Sequence, residues 1–80
     1  MSRGDKPDRT LDCLGLFCPE PVFRTRRALD NMTVGQVLEV LADDPAAEGD
    51  IKVLVKRLGQ QLLDMRREED GFRFLIKKIK

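Results

Sequence analysis

The chain is 80 residues long, 41% hydrophobic and 36% charged, with 15 Lys and Arg against 14 Asp and Glu and a net charge of +1. That length holds one domain with a thin core, and the composition is that of a folded chain with a strongly solvated surface; the charge balance gives no basic footprint for nucleic acid or a membrane surface. With no His and two Cys, Ser-His-Asp and Cys-His arrangements are excluded, and so is a four-ligand zinc site built from one chain's cysteines and histidines.

Residues 1–9, MSRGDKPDR, are polar, contain Gly and Pro, and read as a flexible tail ahead of a domain spanning 10–80. They show no apolar core of a secretory signal, and no apolar run in the chain reaches bilayer length. A cytoplasmic location without membrane association is therefore expected, with both cysteines as reduced thiols. Thr10-Leu11-Asp12-Cys13-Leu14 alternates as a short strand with Leu11 and Cys13 on one face, ended by Gly15. Leu16-Phe17-Cys18 leads into Pro19-Glu20-Pro21, where prolines suit a first helical turn because the missing N–H has no partner there. Val22, Thr25, Leu29 and Met32, with Ala28 beside them, form the apolar stripe of that helix, and Arg24, Arg26 and Arg27 fall largely off it.

Val37 to Ala42 is nearly continuous in apolar residues and reads as a central strand covered on much of both faces. Asp43-Asp44-Pro45 is a helix start, an Asp cap followed by Pro. The helix it opens buries Ala47, Ile51, Leu54, Val55 and Leu58. Glu48 and Asp50 lie early and Lys56 and Arg57 late, the order the helix dipole favours, and Gly59 closes the helix. Leu62–Met65 and Phe72–Ile76 are two further strands, and Asp70-Gly71 marks a hairpin within a connection, Arg66 to Gly71, expected to be longer than two residues. The order β-α-β-α-β-β predicts an α+β fold, a two-layer sandwich of one mixed four-stranded sheet with both helices on one face.

Cys18 is the residue that calls for chemistry. At a helix N-terminus, partial positive charge and unpaired N–H groups favour an anion, so a lowered thiol pKa is expected there. Pro19 and Pro21 stiffen the junction and remove two donors, leaving those of Glu20 and Val22 nearby. Together Asp12-Cys13-Leu14-Gly15-Leu16-Phe17-Cys18-Pro19-Glu20-Pro21 resembles the D-x-x-G-x-x-C-P-x-P signature of the TusA/SirA-like (YedF/YeeD-like) sulfur carriers. Ala42-Asp43-Asp44-Pro45-Ala46 with Asp50-Ile51 resembles a second block of that family. The resemblance runs from about Thr10 to the C-terminus.

It implies a sulfurtransferase acting as a persulfide relay without a cofactor or metal. Cys18 would accept sulfane sulfur from a cysteine desulfurase, a rhodanese or another persulfide donor. It would pass that sulfur to a thiol of an acceptor such as a DsrE-like or TusD-like protein, serving tRNA 2-thiolation, molybdenum-cofactor supply or sulfur oxidation. Direct nucleic-acid binding is not expected. Pro19, Glu20, Pro21, Asp12 and Gly15 are the supporting motif residues. Lys52 stands where tRNA-thiolating members often carry Pro, and Cys13 where many carry a small residue; both departures bear on the pathway and leave the carrier chemistry intact.

Several positions admit two roles. Cys13 is a core residue or a resolving thiol for Cys18. Phe17 docks a partner or plugs the helix start. Arg24 and Arg27 are a solvated face or a docking surface for an acidic partner. Asp12 and Gly15 also have plain local roles in a turn, and Lys77, Lys78 and Lys80 read as a solvated end that protects a sheet edge. At the level of the whole chain, the alternatives are a non-enzymatic regulatory or interaction module and a two-thiol redox protein using Cys13 and Cys18.

Overall fold

The computed structural model describes residues 6–80; the part of the expected tail in residues 1–5 lies outside them. The elements are β1 (Arg9–Cys13), α1 (Glu20–Asp30), β2 (Val37–Ala42), α2 (Pro45–Leu58), β3 (Gln61–Glu68) and β4 (Gly71–Lys77). The sheet order is β1-β2-β4-β3. β1 runs parallel to β2, which pairs antiparallel with β4, and β4 pairs antiparallel with β3. The two helices pack against one another, α1 over β1 and β2, α2 over β3 and β4. The expected fold is thus the observed one.

The core fills one face of the sheet. Leu11 and Cys13 stand in register with Val40 and Ala42, and Leu38, Val40 and Ala42 with Ile76, Phe74 and Phe72. These side chains meet Ala28, Leu29 and Met32 of the α1 region and Ala47, Ile51 and Val55 of α2. A bulge at Leu63 explains how Leu62 and Met65, three residues apart, both reach this core. Leu62 pairs with Ile76 and Asp64 with Leu75, so the extra residue turns outward.

Five local expectations are corrected. The expected tail is shorter: β1 starts at Arg9, and Asp8 before it is pinned to Val37, its N–H donating to the Val37 carbonyl (2.8 Å) and its carboxylate accepting from the Val37 N–H (2.7 Å). β2 is fully covered on its helix-facing side and only in part on the other, where Val37 is buried but Glu39 and Leu41 are half-buried. There Glu39 accepts from Thr10 of β1 and from Arg73 of β4, a polar cross-strand cluster that suits a two-layer fold. In α1 the buried stripe begins at Pro21, and Val22 is only half-buried. The hairpin is tight: Glu68 pairs with Gly71 across the two residues Glu69-Asp70. Lastly, β4 is an inner strand, so its end protects no edge. Lys78 instead donates from Nζ to the carbonyls of Leu29 (2.7 Å) and Met32 (2.9 Å), closing the C-terminal end of α1.

α2 is closed as read, by Asp44 at its start and Gly59 in the left-handed conformation at its end. Gly71 has a separate steric reason. Its φ is +145°, and a Cβ there would run into the Ala42 carbonyl and Asp43. The hairpin therefore lies directly against the end of β2, from which the acidic segment Asp43-Asp44 departs.

Candidate functional site

The segment between β1 and α1 is held by side chains distant in sequence. Asp12 Oδ1 accepts from the Leu14 N–H (2.9 Å), a local turn that starts the loop. Gly15, at φ +81°, donates its N–H to the Asp43 carboxylate at 3.1 Å. Three residues on, the Cys18 N–H donates to Asp44 Oδ2 (2.7 Å), while Oδ1 of the same carboxylate accepts from Ala46 N–H (3.1 Å). Asp44 therefore caps α2 and anchors the Cys18 loop with one carboxylate. The two sequence blocks meet in space because the second block supplies acceptors for the loop of the first.

Cys18 precedes Pro19, the cap residue of α1, and both are exposed. Its Sγ–H donates to Asp50 Oδ2 of α2 at 3.2 Å. That hydrogen bond, followed by partial desolvation and the negative charges of Asp50 and Asp44, pushes the Cys18 thiol up from its ordinary value. A helix N-terminus by itself would lower it, the direction expected from the sequence. The reason this expectation fails lies in the donors. Pro19 and Pro21 have no N–H, the Cys18 N–H is taken by Asp44, and the Glu20 N–H donates to the Phe17 carbonyl (2.9 Å). The side chain that meets the sulfur is then a carboxylate.

Asp50 is the site residue that sequence reasoning missed. It stood in the second block but was read only as an early acidic residue of its helix. Its contact with Cys18 spans 32 positions, so only the packing of α1 beside α2 creates it. The other thiol is different in kind. Cys13 is fully buried in the core, and burial, the largest influence on it, pushes it up; both thiols are free. Its place supports the packing role.

A groove of about 290 Å³ opens beside the sulfur, lined by Cys18, Pro19, Val22, Asp50, Val53, Leu54 and Arg57. Val22, half-buried and absent from the core stripe, has its use here. Phe17 is 73% exposed, which rules out the role of a plug. Glu20 is bound to Arg24 (3.1 Å) one turn on. Arg24 and Arg27 do not face the groove; with Arg9, Leu11, Phe23 and Ala28 they line a larger recess of about 400 Å³ between α1 and the open edge of β1. Among the described residues, no cluster of three or more acidic or cysteine side chains is placed to hold a metal ion. No helix among them is long and apolar enough to cross a membrane.

Comparison with known proteins gives this site its context. The family profile "Sulfurtransferase TusA" matches residues 9–78. The chain belongs to the TusA family. A candidate sulfur carrier protein of Archaeoglobus fulgidus is 56% identical over 73 residues, covering 90% of this chain and 95% of that protein. The sulfur carrier protein TusA of Allochromatium vinosum is 42% identical over 71 residues, 89% and 93% of the two chains. The crystal structure of a SirA-like protein from Desulfitobacterium hafniense superposes with a TM-score of 0.72 at 27% identity, over 86% of this chain and 93% of that one. Family and fold together carry a sulfur-carrier role.

Proposed function

We propose that the chain carries sulfane sulfur as a persulfide on Cys18 and relays it between protein thiols. The observation that supports this most directly is the division between the two thiols, Cys18 exposed on a rim and Cys13 sealed in the core. One sulfur is accessible to a partner, and the motif residues around it serve to hold it. Asp12 and Gly15 shape the loop, Pro19 and Pro21 stiffen the helix junction, and Glu20 pairs with Arg24 outside the groove.

The relay consists of two nucleophilic displacements on sulfur. In loading, Cys18 gives up its proton and Sγ attacks the outer sulfur of the donor persulfide. The donor's S–S bond breaks, and its inner sulfur leaves with the electron pair and takes a proton. In unloading, an acceptor thiolate attacks the outer sulfur on Cys18, the Sγ–S bond breaks, and Cys18 returns to the thiol. Neither step needs a cofactor, because the oxidation level of the mobile sulfur is carried along with it.

A cysteine desulfurase or rhodanese is the proposed donor class and a DsrE-like protein the proposed acceptor class, within the cytoplasm. Uses in tRNA thiolation, molybdenum-cofactor supply and sulfur oxidation are all consistent with a carrier of this kind. The exposed Phe17 and the basic recess at Arg24 and Arg27 are the proposed docking features, apolar beside the sulfur and cationic behind it.

The test is intact mass under non-reducing conditions after incubation with a cysteine desulfurase and cysteine. A gain of about one sulfur, removed by dithiothreitol, is expected in the wild type and in Cys13→Ser and not in Cys18→Ser. A normal gain in Cys18→Ser overturns the assignment. Loss of the gain in Cys13→Ser, with an intramolecular disulfide in the oxidised wild type, favours the two-thiol alternative.

A further inference from the structure

Resting on the persulfide reading, we propose that Asp50 is a catalytic residue that biases Cys18 toward giving sulfur away: it holds the unloaded thiol as its hydrogen-bond donor and repels the loaded sulfur as an anion.

The geometry behind this is the contact between Sγ and Asp50 Oδ2 at 3.2 Å. The charged groups around the thiol come from three places. Asp44 sits at the cap of α2, with both oxygens already engaged by N–H groups of Cys18 and Ala46. Asp50 and Arg57 line the groove from positions two turns apart on α2. From α1, the first charged side chain is Glu20, which Arg24 holds. Among the charged side chains of the described residues, Asp50 is the one hydrogen-bonded to the reacting atom.

The two states of the carrier meet this carboxylate differently. Unloaded, Cys18 has a proton to donate, and the hydrogen bond to a charged acceptor stabilises the thiol. Loaded, the site carries a persulfide, a stronger acid than the thiol it came from, and its negative charge lies beside Asp50 with Asp44 behind it. Like charge disfavours that state and directs the outer sulfur away from α2, toward an incoming acceptor. Both effects move the exchange in one direction. In unloading, the acceptor thiol loses its proton and attacks the outer sulfur. The Sγ–S bond breaks with its electron pair on Sγ, which takes up a proton and donates it to Asp50 again. In loading, Asp50 accepts that proton as Sγ attacks the donor persulfide, and the proton passes to the departing donor sulfur. No net oxidation or reduction occurs in either direction.

The experiment compares wild type, Asp50→Asn and Asp50→Glu, with Glu48→Gln as a control on the same helix away from the sulfur. The first readout is the pH profile of Cys18 alkylation by iodoacetamide, an uncharged probe, followed by intact mass on the unloaded protein. Asp50→Asn is expected to move the inflection to lower pH and to raise the rate at neutral pH several-fold. Asp50→Glu, which keeps the charge, stays near wild type, and Glu48→Gln does not move. The second readout is the share of protein carrying sulfur at equilibrium with a fixed ratio of cysteine persulfide to cysteine; Asp50→Asn retains more. If wild type and Asp50→Asn both load and their profiles and partitions coincide, the assignment of Asp50 is overturned. If no protein in the set loads, it is the persulfide reading that falls, and the alkylation profile still decides whether Asp50 holds the thiol proton.

Discussion

Removing the carboxylate of Asp44 tests the idea that one side chain ties the reactive loop to the second helix. In Asp44→Ala two hydrogen bonds vanish, to Ala46 N–H at 3.1 Å and to Cys18 N–H at 2.7 Å. Loss of a helix cap costs about 1 kcal/mol. The second bond, short and to a charged acceptor but open to solvent, adds about 1 kcal/mol. The sum of about 2 kcal/mol corresponds to a fall in Tm of about 10 °C in a domain of this size. Asp44→Asn keeps one acceptor oxygen, enough for the cap bond to Ala46 N–H, and turns an NH2 donor toward the other N–H, so it is expected to recover about half of the loss. The chain has no Trp or Tyr, so unfolding in urea is best followed by far-UV circular dichroism. The same variants report on the sulfur: with one of its two flanking carboxylates gone, the alkylation inflection of Cys18 moves to lower pH in both. An alanine variant as stable as wild type, or an asparagine variant as unstable as the alanine one, refutes the reasoning.

Three further outcomes follow from the packing. Thr25 is fully buried in α1, and its hydroxyl has no hydrogen-bond partner in the structure; Thr25→Val keeps the shape and is expected to raise stability by about 1 kcal/mol in the same urea experiment. Lys78→Met removes the ammonium donor from the Met32 carbonyl and from that of Leu29, which keeps the Met32 N–H, and is expected to lower stability by about 1 kcal/mol, with faster amide exchange at the C-terminal end of α1. Glu39 is desolvated, which alone would raise its carboxyl, but the hydrogen bonds from Arg73 and Thr10 outweigh this and hold it below its ordinary value. Its contribution is therefore complete above the ordinary carboxylate range and lost as pH falls through the lowered value. Glu39→Gln should reduce the acid sensitivity of the urea midpoint while leaving a lower midpoint at neutral pH.

What was legible in the sequence was the part governed by local rules. The caps of α2 at Asp44 and Gly59, the apolar periods of both helices and the alternation of β1 each follow from interactions within a few residues, and apart from Val22 at the start of the α1 stripe they appear where expected. The order of elements then leaves few ways to bury the stripes, so the two-layer sandwich was also within reach. Boundaries were less accessible. The tight turn at Glu69-Asp70 and the bulge at Leu63 depend on pairing with β4, and the end of α1 depends on a lysine 49 positions from Leu29.

The site divides in the same way. Sequence alone singled out Cys18, through its junction with two prolines and the motif around it, and gave Cys13 an apolar neighbourhood. Which group the sulfur meets was decided only by tertiary structure. A helix N-terminus predicts a positive environment from covalent neighbours, but here two of those neighbours are prolines without an N–H, the N–H groups of Cys18 and Glu20 are engaged elsewhere, and the packing of α1 against α2 brings Asp50 to the thiol instead. Electrostatic contacts act through space. The residue that sets the protonation of Cys18 could therefore be placed only once the chain between positions 18 and 50 had folded back on itself.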